Sequence, residues 1–309
     1  MARRMMDYMI WANGDFVRRS EATISMLDRG FRLGDVVFDT SRTFDGKVFR
    51  LREHLVRLYR SLQYTRIDPG MSIDEMERVT LDVVEHNEET RSAARDDYMI
   101  TQIVTRGAGG VVGDIEPHVS IMIDPIDYVR YAPLYDTGAH VVIPRTRSFS
   151  PDQIDPKVKH YSRLSFVMAD LEARDVDPNA FPVLLDTDGN VSESIGANFC
   201  IVSNGVLRTS GDRSILRGVS RMTLMELAEQ LNIPTSEEDL QPYDVYTADE
   251  AFLCSTPFSL LPVGKADNRQ IGDSVPGPIT KQLLAAWSER VGFDIVDQFE
   301  QRARALNAG

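Results

Sequence analysis

Three short polar turns, set between runs in which apolar and polar residues alternate, constrain this 309-residue chain more than any other feature. Asp45-Gly46 divides DVVFDTSRTF from KVFRL, Asp188-Gly189-Asn190 divides FPVLLDT from VSES, and Asn204-Gly205 divides NFCIVS from VLRTS. Such pairs supply consecutive residues that tolerate positive φ, which a tight hairpin needs. Both halves of the chain are therefore expected to contain antiparallel sheet.

Helical periodicity fills the spaces between the hairpins. From about Glu53, the residues His54, Leu55, Leu58 and Leu62 form one stripe, and a second helix is predicted over roughly Ile73 to Asn87. MIWANGDFV, YMITQIVTRG and HVSIMIDPI read as strands, so the first half is α+β. The length exceeds one ordinary core and predicts two domains. PIDYVRYAPLYDTG, residues 125–138, has two prolines and breaks both periods; it is assigned as the linker between a small domain, 1–124, and a larger one, 139–309. In the larger domain AHVVIPRT is a strand, and SRLSFVMADLEARD is an amphipathic helix that Asp177-Pro178 ends. Helices near Ser220 to Leu231 and Pro278 to Arg290 flank the strand EAFLCSTPF.

A formal charge of -13 and a pI near 4.9 argue against a nucleic acid or an acidic membrane as partner and leave a small molecule. No apolar run approaches the roughly 18 residues of a membrane span, and MARRMMDYMIWANG lacks the pattern of a signal peptide, so a cytoplasmic protein is expected. Cys200 and Cys254 both sit in apolar strand-like runs, which speaks for plain packing rather than a disulfide. The five histidines show no metal-ligand spacing, and no metal is expected.

Chemistry is suggested first by lysine usage. The chain has 29 arginines and only five lysines, yet Lys157 and Lys159 stand two apart in IDPKVKHYSRLSF. Arginine cannot lose its proton to become an amine nucleophile; lysine can. Glu193 follows 34 residues after Lys159, at the exit of a hairpin that runs into Ser-Ile-Gly-Ala-Asn. Three stretches suit an anion: LRGVSR, with Gly218 and Ser220 at a helix start; CSTPF, with two hydroxyls at a strand end; and Arg57 in LREHLVRL. Taken singly, each has a plain reading as an N-cap, a strand-end turn or a solvated arginine.

Together they form a pattern. DRGFRLGDVVFDTSRTFDGKVFRLREHLVRL, IVTRG, DPKVK, GNVSESIGANFCIV, ILRGVSR, ADEAFLCSTPFSLLPV and GPITK, in that order, resemble the class IV aminotransferases, the fold-type IV pyridoxal 5'-phosphate (PLP) enzymes. The resemblance runs from about Tyr8 to Val296. It implies a small N-terminal α/β domain, a larger domain with a β-barrel-like core, the cofactor in the cleft between them, and a homodimer. It also implies roles for single residues. Lys159 matches the lysine that binds PLP covalently and carries the proton, while Lys157 has no counterpart and is expected to be a solvated neighbour. Glu193 matches the partner of the pyridine nitrogen, Leu216 a residue packed on the ring face, and Arg57, Val219, Ser220 and Thr256 the phosphate ligands.

Substrate choice is where the chain leaves this pattern. Branched-chain relatives usually have an alanine after the Thr256 equivalent, whose N–H helps hold the substrate carboxylate; Pro257 has none to give. IVTRG, DGKVFRL and DPKVK look closer to (R)-selective amine and D-amino-acid transaminases, although Val112 stands where those enzymes place a mobile arginine. Phe38, Thr40 and Arg42 share one face of their strand and are expected in the substrate pocket, with Arg42 as the keto-acid carboxylate ligand or else an edge-strand arginine in solvent. Arg32 is a second candidate, reaching a neighbouring subunit's site. Tyr161 and Arg163 replace the aromatic usual four or five positions after the lysine, and His54 is expected to buttress the fold. The resulting expectation is a transaminase that moves an amino group from an (R)-amine or D-amino acid to pyruvate or 2-oxoglutarate. A branched-chain L-amino-acid aminotransferase, a lyase of the aminodeoxychorismate lyase type and a cofactor-free binding protein are the alternatives.

Overall fold

A computed structural model describes residues 7–94, 96–109 and 115–308. Val112 lies outside the described residues. The chain divides into two compact units, 1–126 with 158–162, and 127–157 with 163–309.

The first unit is an antiparallel sheet of six strands, in the order Asp15–Arg18, Met9–Ala12, His118–Pro125, Tyr98–Thr105, Val36–Phe44 and Lys47–Val48. Asp45 and Gly46 take the expected positive φ values of 48° and 75° at its hairpin. The helix Leu51–Thr65 buries Leu55, Leu58 and Leu62 and packs on Val36–Phe44. Ser72 and Glu75 form a reciprocal capping box on the helix Ile73–His86, which fixes where it starts.

In the second unit, six strands close into a ring: Ala197–Ser203, Glu250–Ser255, Ser259–Ala266, Ala139–Val142, Phe181–Leu185, Val191–Ser194 and back to Ala197–Ser203. Closure removes the two exposed edges that an open sheet would carry. Ala139–Val142 pairs parallel with both its neighbours, and the other ring pairings are antiparallel. Phe199, Ile201, Leu253, Leu261 and Val183 are buried in this unit, and Cys200 and Cys254 are buried free thiols in its strands.

Residues 125–138 differ from the expected linker. They carry the short helices Tyr128–Tyr131 and Leu134–Thr137, and all but the first two belong to the second unit. Tyr128 and Tyr135 are buried against Phe299, with ring centroids 4.9 and 5.2 Å away. The prolines mislead because Pro125 ends a strand and Pro133 caps a helix, positions that need no backbone N–H. Phe299, the partner of both tyrosines, is on the helix Ile295–Ala308.

Candidate active site

Lys159 is placed by backbone pairing rather than by the helix expected right after it, which begins only at Leu164. Phe38 N donates to Lys159 O at 3.0 Å, Tyr161 N donates to Val36 O at 3.3 Å, and Val37 bridges His160, so Val158–Ser162 adds a short rung beside Val36–Phe44. Lys159 N donates to Ser61 Oγ at 3.3 Å. Its Nζ is 4.7 Å from the centroid of the Phe38 ring. Tyr161 stacks flat on Phe38 at 3.8 Å and 5°. Tyr161, two positions after the lysine, thus stacks on the ring over which the lysine amine lies.

The strand Val36–Phe44 presents Phe38, Thr40 and Arg42 on one face, paired with Ile103, Thr101 and Met99. Thr40 and Thr101 share a hydrogen bond of 3.1 Å between their hydroxyls. Arg42 is 2% exposed, donates through Nε to Thr43 O and lies 4.0 Å over Phe44. It is therefore not the solvent-facing edge arginine. Arg32 is exposed on the short helix Arg29–Leu33.

On the opposite strand face, Asp39 is 0% exposed. It accepts from Arg57 Nε and Nη2, each at 2.8 Å, and is 2.8 Å from His54 Nδ1. Burial works to raise its pKa, but the Arg57 charge and hydrogen bonds, helped by His54, hold the carboxyl well below the usual range. Burial pushes His54 down, and Asp39 only partly opposes this. An ionised carboxylate can only accept, so His54 donates to it through Nδ1. His54 is thus buried against Asp39, an arrangement compatible with the expected buttress.

In the second unit, Glu193 is buried on Val191–Ser194, where its Oε2 accepts from Leu216 N at 3.0 Å and Asn198 Nδ2 at 3.3 Å. Asn198 pairs with Glu193 across the sheet and also donates to Leu216 O at 3.0 Å, tying strand to loop. The helix Val219–Gln230 starts at Gly218 with no side-chain cap. A Cβ on Gly218 would meet Asn198 Oδ1 at 2.1 Å, so the close approach requires glycine. Val219 and Ser220 are the first helical residues and are buried. Thr256 and Pro257 form the turn between Glu250–Ser255 and Ser259–Ala266. Ser255 Oγ donates to Gly196 O. Arg163 Nη1 donates to Ile195 O at 2.8 Å and lies 5.0 Å over Phe166. Lys157 is not merely solvated: its Nζ pairs with Asp155 at 3.0 Å and donates to Asp212 O at 3.3 Å.

Each unit carries groups of the kinds PLP needs: the first an amine beside an aromatic ring, the second a buried carboxylate for a cationic ring nitrogen and an uncapped helix start for a phosphate. Asp39 and Asn198 support the expected residues without being among them; a lone aspartate inside the apolar run VVFDTSRTF is the sequence signal for the first.

Comparison with known proteins follows the same line. The family described as Amino-transferase class IV matches residues 36–266. A putative branched-chain-amino-acid aminotransferase of Methanocaldococcus jannaschii is 37% identical over 299 residues, which cover 94% of this chain and 99% of that protein. The branched-chain-amino-acid aminotransferase of Escherichia coli K12 is 29% identical over 295 residues, 93% of this chain and 94% of that one. Among solved structures, the E. coli branched-chain amino acid aminotransferase superposes with a TM-score of 0.84 at 28% identity, covering 93% of this chain and 95% of that one. The Thermobaculum terrenum branched-chain enzyme in its PLP form gives 0.80 at 26% identity, covering 93% and 95%.

Proposed function

The chain belongs to the class IV aminotransferase family and is a PLP-dependent aminotransferase of fold type IV, and from that premise we propose that its amino donors are branched-chain L-amino acids and its acceptor a 2-oxo acid. The observation that carries the donor is the likeness to branched-chain aminotransferases over more than nine-tenths of both chains. The (R)-amine and D-amino-acid likeness expected from short segments has no such support among these relatives. Phe38 and its cross-strand neighbour Ile103 give the surface near Lys159 an apolar character that suits an aliphatic side chain.

Bound PLP supplies an electron sink for the bond that breaks at the substrate's α-carbon. Lys159 is proposed to hold it and to move the proton, since its amine is the nucleophile the chemistry needs. Glu193 would keep a ring nitrogen protonated, and Leu216 would pack against the ring. Arg57, the N–H groups of Val219 and Ser220, and Thr256 would take the phosphate. The chain is further proposed to act as a homodimer. The helix Leu164–Val176 leaves Leu164, Val167, Met168 and Leu171 exposed at helical spacing, and a second copy of this chain is the proposed cover.

One observation keeps a second reading in view. Pro257 removes an N–H that a branched-chain carboxylate site uses, which favours a D-amino-acid or (R)-amine donor. Initial rates with both enantiomers of alanine, leucine and 1-phenylethylamine, against pyruvate and 2-oxoglutarate, separate the two. L-Leucine with 2-oxoglutarate should be fastest; faster turnover of D-alanine or (R)-1-phenylethylamine would overturn the branched-chain proposal.

A further inference from the structure

The strand Val36–Phe44 touches both ends of the proposed chemistry through adjacent residues. Phe38 bonds to the backbone of Lys159 and lies under its amine. Asp39, one residue on, turns to the opposite face and grips Arg57. Successive strand side chains alternate by geometry, so the spacing between lysine and arginine is set by one rigid element.

We infer that Asp39 is a positioning residue for cofactor binding: its buried carboxylate orients Arg57 for a phosphate and is itself oriented by His54. This rests on the reading of Arg57 as a phosphate ligand given above. Two parallel N–H···O bonds of 2.8 Å fix the plane of the guanidinium, which would otherwise sample many rotamers. Oδ1 of the carboxylate is held in turn by His54 Nδ1 at 2.8 Å and by Thr40 N at 2.7 Å, which fixes the orientation of the group. A pair kept only for stability would satisfy the same distances. The difference lies in coupling: a positioning residue acts on PLP only while Arg57 is present.

The test is a double-mutant cycle on the full-length holoenzyme, dialysed against graded PLP, with retained PLP read by absorbance and folding checked by circular dichroism. Arg57→Ala and Asp39→Asn should each weaken PLP about 10- to 100-fold, the scale seen when a residue supporting a ligand-binding group is lost. The double variant should be no weaker than Arg57→Ala alone, within about twofold. PLP affinity unchanged in Asp39→Asn, or losses that multiply in the double variant, would overturn the inference. If Arg57→Ala binds PLP like the wild type, the reading of Arg57 as a phosphate ligand falls instead. Should Asp39→Asn not fold, Asp39→Glu keeps the charge but moves both oxygens; a folded Asp39→Glu protein with undiminished PLP affinity also overturns the inference.

Discussion

At Gly218 one missing methyl group decides whether the helix Val219–Gln230 can begin beside Asn198. The φ of Gly218 is -64°, which alanine also adopts, so the conflict is purely steric. Asn198 is buried and bonded to both Glu193 and Leu216, and it cannot yield without disturbing the carboxylate. Gly218→Ala should therefore weaken PLP at least tenfold, a loss of about 1.4 kcal/mol, with helix content retained. Equilibrium dialysis checks it, and wild-type affinity would mean that Asn198 moves aside freely. Lys159, Glu193 and Gly218 could be named from sequence because each stands in a short motif. The pairing of Asp39 with Arg57 could not, since the two lie 18 positions apart on different elements.

Elements show the same limit. The helix Leu164–Val176 was legible as a helix, and its end at Asp177-Pro178 was too. Which face it buries was not: Phe166, Ala169 and Ala173 go inward, while the equally apolar Leu164, Val167, Met168 and Leu171 stay exposed. Apolar residues on two faces give a sequence no means of ranking them. Leu171→Glu places a charge on the exposed stripe and should shift a dimer toward monomer at micromolar concentration in sedimentation velocity. A dimer of undiminished strength would remove this face as the interface. The segment 125–138 failed for a related reason, because its prolines end elements as readily as they break them.

Across the whole molecule, acid should act through buried His54 and half-buried His118. Burial lowers the pKa of both His54 and His118 from the ordinary 6.5, with Asp39 and Asp28 opposing only in part. The folded protein then binds fewer protons than the unfolded chain, so stability is complete above about pH 6.5 and is lost as pH falls through the folded values. Asp39 acts in the same direction, but only below the ordinary carboxyl range. Calorimetry from pH 7.5 to 5 should show a falling Tm, and His54→Asn should flatten that slope. A Tm independent of pH over this range would contradict the lowered pKa of buried His54.

The sequence by itself determined the hairpins at Asp45-Gly46 and Asn204-Gly205 and the lysine at 159, and its ordered motifs identified the family. A turn depends on the φ preference of two adjacent residues, and the proposed role of Lys159 on the identity of one. Tertiary structure alone decided the closure of the six-stranded ring, the clamp of Asp39 on Arg57, the burial of Arg42 and the exposed face of Leu164–Val176. Each of these depends on which distant surfaces are removed from water together, and that free energy is shared among many residues far apart in the chain.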